Sequence, residues 1–233
     1  MNANSKYSKQ YLDSLINRAI SNDAKAQQEF AFWYEEGLSD PNGVSILSLD
    51  MEQSTIWYKK AAKNGDLNAI TRLGDFYSEG IGCNQNMQKA IEYYDKAIKK
   101  GYSPAANNLA TIYRDLKDYE KAFIYYEKAQ QLLSAECSKT VKTLNVALCY
   151  LYGLGIDKDV SKAIDIFEFI SNNHNEGNFN YEVNEANFLL GQIYLSGKHV
   201  VKDIDIARKY LLLADIDKDH LLAQELLIII GRN

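Results

Sequence analysis

NAITRLGDFYSEGIGCNQNMQKAIEYYDKAIKKG, residues 68–101, is the stretch whose reading decides the fold. Ala69, Leu73 and Tyr77 recur every four residues, which places them on one face of a helix. Gly74, beside Leu73, has no side chain and lets a neighbouring helix approach closely. Gly80 stops the helix, since glycine takes the left-handed conformation of a helix end most readily, and Gly82 continues the turn. Ala90, Tyr94 and Ala97 then mark a second helix with a small-large-small face, closed by Gly101. The stretch is a helical hairpin whose buried faces are satisfied mainly by the next hairpin.

Outward from it the pattern repeats. Tyr77 has equivalents at Tyr34, Tyr113, Tyr150 and Tyr194, with Ile230 in the same place at the C-terminus, at spacings of 43, 36, 37, 44 and 36 residues. A basic period of 36 with insertions predicts stacked supersecondary units. The expected architecture is all-α: an α/α superhelical solenoid of stacked helical hairpins, right-handed, with about ten to twelve helices. Residues 1–233 are expected to form a single array, with an N-terminal helix at about 7–21, five repeats at about 24–217 and a capping helix at about 219–231. Tyr11, Leu15 and Ala19 of the first helix should pack onto Ala26 and Phe30.

Composition excludes several classes. The net charge of -5 and pI near 5.3 argue against nucleic acid, which needs clustered basic charge. Residues 1–10 are polar and do not read as a signal peptide. Apolar runs such as Leu226 to Ile230 are too short to span a bilayer, so a cytoplasmic protein without membrane insertion is expected. Cys83, Cys137 and Cys149 form no CxxC pair and lie far from His174, His199 and His220, which leaves no metal-ligand spacing. Free thiols are expected, with Cys149 as a packing residue.

The pattern A-x-x-x-L-G-x-x-Y-x-x-G-x-G, then K-A, Y-Y-x-x-A and a closing G, resembles the Sel-1-like repeat of the tetratricopeptide-like superfamily. It is strongest at 68–101, at 146–170 (Tyr150, Gly153-Leu154-Gly155, Lys162-Ala163, Phe167) and at 186–214. The copy around Tyr113 lacks the Gly-x-Gly loop, with nine residues to Ala122 where the clearest copy has thirteen, and is similar to an ordinary tetratricopeptide repeat. Insertions fall at Leu38–Leu49, where Asp40-Pro41-Asn42-Gly43 signals a turn, at Leu133–Thr140 and at Asn172–Asn184.

No catalytic constellation emerges. Glu35 and Glu36 are adjacent and diverge by about 100° on a helix. His174-Asn175-Glu176 has no nucleophile near it in sequence. The Gly-x-Gly loops follow helices and recur with the repeat, unlike phosphate loops. A non-enzyme without cofactor or metal is expected.

The resemblance implies that first helices line a concave surface. The candidate partner-binding residues are then Gln28, Phe32 and Glu35; Asn68, Thr71, Asp75 and Ser78; Asn107, Thr111 and Arg114; Leu144, Leu148 and Leu151; and Phe188, Gln192 and Leu195. The early copies give a polar surface and the later ones an apolar surface, which is either a directional peptide groove or side chains buried internally.

The expected function is a protein-interaction module, an adaptor or scaffold of a bacterial cell, binding a protein or peptide partner. Alternatives are a cytoplasmic immunity protein that neutralises a toxin and, from family members alone, a cell-wall hydrolase. The last helix carries Leu221, Ile228 and Ile229 off the stripe of Leu222, Leu226 and Ile230, which raises the possibility of self-association through that end.

Overall fold

The computed structural model describes residues 8–173 and 180–231. His174-Asn175-Glu176, named above, lies outside them, as does part of the Asn172–Asn184 insertion. Twelve helices occur among the described residues: α1 Lys9–Ile20, α2 Ala24–Glu36, α3 Met51–Lys63, α4 Leu67–Glu79, α5 Met87–Ile98, α6 Ser103–Asp115, α7 Tyr119–Cys137, α8 Leu144–Tyr152, α9 Val160–Asn172, α10 Asn180–Ser196, α11 Ile204–Ala214 and α12 Leu221–Gly231. Two short strands, β1 Leu38–Ser39 and β2 Ser45–Leu47, pair antiparallel within the first insertion.

Aspartate starts half of these helices. Asp23, Asp50, Asp66, Asp118, Asp159 and Asp203 each accept a hydrogen bond from the backbone N–H three residues on, as Asn86 does for α5. Each cap satisfies one amide that the helix itself cannot and places a negative charge at the positive end of the helix dipole. The Gly-x-Gly loops end α4 and α8. Gly80 and Gly153 take the left-handed conformation. The second glycine has a different cause: a Cβ on Gly82 would lie 2.2 Å from the Met51 carbonyl oxygen, and one on Gly155 would lie 1.9 Å from that of Tyr119. Each loop therefore rests on the N-terminus of the preceding hairpin's second helix, a contact that only a bare backbone permits.

The chain forms two compact units, one up to Leu109 and one from Ala110 on. In the first, α1 packs on α2 through Leu12, Leu15 and Ala19 against Ala26 and Phe30, with Tyr11 partly buried beside them, as the sequence predicts. The insertion after α2 contributes a hairpin. Asp40 Oδ1 accepts the amides of Asn42 and Val44, both at 2.9 Å, and closes the turn. Leu38 is buried with Phe30, which anchors the hairpin to the core. Ala69, Leu73 and Tyr77 of α4 and Ala90, Tyr94 and Ala97 of α5 are buried as expected.

The second unit has a core from α7 to α11 that includes Phe123, Tyr126, Ala147, Tyr150, Phe167, Ile170 and Leu190. Two insertions expected as lengthened connections are partly helical. α7 runs on to Cys137 and stops at Ser138, whose φ of 53° is left-handed. α10 already begins at Asn180. Cys149 is buried, and desolvation pushes its thiol up to about 11, consistent with a packing role.

α12 packs through Ala223 and Ile230, with Leu226 and Leu227 partly buried. The expected stripe of Leu222, Leu226 and Ile230 is thus rotated. Ala223 faces inward because its small side chain fits beneath Phe188 and Leu211, and Leu222 points to solvent together with Leu221, Ile228 and Ile229.

Candidate functional site

Repetition also places a polar network. In the first three hairpins the second helix carries tyrosine at one equivalent position, Tyr58, Tyr94 and Tyr126, and each hydroxyl reaches back to the first helix. Tyr58 donates to Glu35 Oε2 at 2.8 Å and Tyr94 to Asp75 Oδ1 at 2.6 Å, while the Tyr126 hydroxyl lies 3.4 Å from Thr111 Oγ1. In the last two hairpins the same position is Phe167 and Leu211, and both are fully buried.

In the first unit these bonds join into one system. Glu35, buried at the end of α2, accepts from Tyr58 and from two guanidinium nitrogens of Arg72. Arg72 Nη1 also meets Asp75 Oδ2 at 3.2 Å, and Asn108 Nδ2 donates to Asp75 Oδ1 at 3.1 Å. A buried carboxylate is tolerated only when its lone pairs are occupied, and here they are. Hydrogen bonding to Glu35 holds the Arg72 guanidinium well above its ordinary range. Burial, with the Glu35 carboxylate adding to it, pushes the Tyr58 phenol far up, and burial with Asp75 does the same to Tyr94. All three groups keep their protons at any pH the protein meets.

Beside it lies a cleft of about 370 Å³ between α2 and α4, lined by Gln28, Phe32, Glu35, Glu36, Tyr58, Asn68, Thr71, Arg72, Asp75 and Tyr102. Six of these were named from the sequence: Gln28, Phe32, Glu35, Asn68, Thr71 and Asp75. Phe32 is 39% exposed, and Asn68 accepts a hydrogen bond from the Tyr102 hydroxyl. Ser78, also named, turns its hydroxyl to the Asp75 carbonyl at 2.8 Å and does not line the cleft. Thr71 is buried and bonds the Leu67 carbonyl at 2.9 Å. Asn107 is half-buried, Arg114 pairs with Asp115 at 3.0 Å, and Gln192 is exposed.

Of the apolar candidates, Leu144 and Leu151 are buried in the second unit's core, and Leu148 packs against it half-buried. Phe188 is 6% exposed, with its ring 4.6 Å from the His220 imidazole, and α12 covers both it and Leu195. Of the two readings the sequence leaves open for the later copies, internal burial is the one these side chains fit: Leu144, Leu151 and Phe188 lie in the core, with Leu148 and Leu195 partly buried against it.

Arg72, Tyr58, Glu36 and Tyr102 were missed. The signal for Tyr58 was present in the recurrence of tyrosine at 58, 94 and 126. Arg72, by contrast, has no periodic counterpart. Among the described residues no group of histidine, cysteine and carboxylate side chains is arranged to hold a metal ion, and no helix is long and apolar enough to cross a membrane.

Known proteins share this arrangement. The Sel1 repeat pattern matches residues 24–66, 67–102, 144–172 and 184–214, more than half of the chain, and a tetratricopeptide repeat matches 103–132. The crystal structure of a Sel1 repeat protein from Oxalobacter formigenes superposes with a TM-score of 0.68 at 23% identity, over 91% of this chain and 81% of that one, and so shows the same fold. A sel1-like repeat-containing protein of Acanthamoeba polyphaga mimivirus is 32% identical over 146 residues, 63% of this chain and 25% of that protein. The ERAD-associated E3 ubiquitin-protein ligase component HRD3 of Candida glabrata is 35% identical over 81 residues, 35% of this chain and 9% of its own length. The chain thus spans a quarter or less of these curated relatives. With four copies of the repeat matched and the solenoid fold shared, the chain belongs to the Sel1 repeat family.

Proposed function

We propose that the chain is a non-catalytic interaction module, an adaptor or scaffold, whose first unit holds an extended segment of a partner protein along the face of α2 and α4. Sel1 repeats generally serve protein–protein interaction, and the Candida glabrata relative is by name a component of an E3 ubiquitin-protein ligase. The observation that carries the proposal is the cleft. It combines an exposed aromatic ring, Phe32, and the amide of Asn68 with carboxylates held in place by the Glu35–Arg72–Asp75 network. Prearranged polar groups beside an apolar anchor suit the backbone and side chains of an extended peptide.

Partner capture from the native cell with the Phe32→Ser/Asn68→Lys variant tests this. Both side chains are exposed, so the melting temperature should stay close to that of the wild type while capture is lost. Undiminished capture by a folded variant would overturn the proposal.

A further inference from the structure

One side of the cleft carries charge that the fold does not balance. α2 ends on Glu35 and Glu36, where the helix dipole already places partial negative charge, and its last turn holds no basic residue. Glu35 is compensated by Arg72 and Tyr58. Glu36 is exposed and, among the described residues, makes no hydrogen bond or ion pair. Phe32 sits four residues before it, hence on the same side of α2. Asp75 Oδ1 is occupied by Tyr94 and Asn108, while Oδ2 meets only Arg72 Nη1. Three carboxylates, Glu35, Glu36 and Asp75, thus line the cleft with one guanidinium, leaving two negative charges in excess. An uncompensated carboxylate at a helix C-terminus works against the fold, and such local conflicts are expected where function requires them.

We infer that this cleft receives a cationic side chain, an arginine of an extended partner segment, with its guanidinium on the Glu36 carboxylate and against the Phe32 ring. The inference rests on the reading above that a partner segment lies along this face. A carboxylate accepts two parallel N–H donors from a guanidinium, and the face of an aromatic ring attracts the same cation. Arginine meets both demands better than lysine, being planar and weakly hydrated. It would also neutralise Glu36, which no side chain among the described residues does. An acidic segment, by contrast, would meet like charge.

The probe is an N-acetylated, C-amidated pentapeptide with arginine at the centre of four alanines, compared with its citrulline and glutamate counterparts. Titrated into the ¹⁵N-labelled protein, the arginine peptide should shift the amide signals around Phe32, Glu36 and Asn68. Citrulline, which keeps the shape without the charge, should bind about tenfold more weakly, and glutamate should give no shift. In Glu36→Gln, which should melt like the wild type because Glu36 is exposed and unpaired, the preference for arginine over citrulline should vanish. Equal binding of the arginine and citrulline peptides, preference for glutamate, shifts mapping elsewhere, or no shifts at all would each overturn the assignment. If partner capture still depends on Phe32 and Asn68 in those cases, the interaction face stands and only its cationic ligand falls.

Discussion

The ring of Tyr94 occupies the space that a side chain at position 74 would need: a Cβ built on Gly74 would lie 2.7 Å from Tyr94 Cε1. That approach lets the Tyr94 hydroxyl reach Asp75 at 2.6 Å and joins the second helix of the hairpin to the face that carries the cleft. Gly191 stands in the same relation to Leu211, also at 2.7 Å, but there no polar bond results. Gly74→Leu should therefore destabilise by overpacking, at roughly 1–3 kcal/mol or more, and should disturb the cleft as well. Gly191→Leu should lose comparable stability with the cleft unaffected. Thermal melting of both variants checks this, and a wild-type melt for Gly74→Leu would contradict the packing.

Arg72→Ala removes the charged partner of buried Glu35 and leaves Tyr58 as its remaining donor. Arg72 is itself more than a third exposed, so solvent moderates the loss. A cost of about 1–3 kcal/mol is expected from urea unfolding. Adding Glu35→Gln should recover part of it, because the uncompensated charge is then gone. Strictly additive losses would contradict a coupled pair.

The aspartate caps make a pH prediction. Backbone donation from Ala26, with Arg18 adding to it, holds the Asp23 carboxyl below its ordinary 3.8. The Lys121 ammonium and then its backbone amide do the same for Asp118. A folded-state value below the unfolded one means that the contribution is complete above the unfolded value and is lost as pH falls through the folded one. Melting temperature should thus drop as pH is lowered past about 3.8. Asp23→Asn/Asp118→Asn, which keeps the caps without the charge, should flatten that drop. Identical acid profiles would refute the assignment.

The exposed side of α12 separates two kinds of substitution. Ile228→Asp/Ile229→Lys alters side chains more than half exposed and should change stability by no more than about 0.5 kcal/mol. Ile230→Asp buries an unpaired carboxylate in the core with Phe188 and Leu211 and should unfold that end, or lower the melting temperature sharply. Equal melts for the two would mean that α12 does not pack through Ile230.

The hairpins were legible because Ala69, Leu73, Tyr77, Ala90 and Tyr94 carry a helical period, and the turns because glycines interrupt it. More than half of the cleft lining was legible too, since Gln28, Phe32, Glu35, Asn68, Thr71 and Asp75 follow from helix position alone. The network was not. Arg72 finds Glu35 from another hairpin, 37 residues away, and no spacing rule encodes that meeting. The apolar positions stayed ambiguous for a related reason. Leu144, Leu151 and Phe188 occupy the same helix positions as the polar groove residues, but whether such a position faces solvent depends on what packs over it. For Phe188 the cover is α12, whose small Ala223 sets its rotation.

The central claim is that partner contact occurs across α2 and α4 of the first unit, and site-specific photocrosslinking tests it most directly. A benzoylphenylalanine introduced in place of Phe32 or Asn68, both exposed on this face, should form adducts with the captured partner. The same group in place of Ile56, 43% exposed on α3 and outside the cleft lining, should form none. Adducts from position 56 with none from 32 or 68 would contradict the account.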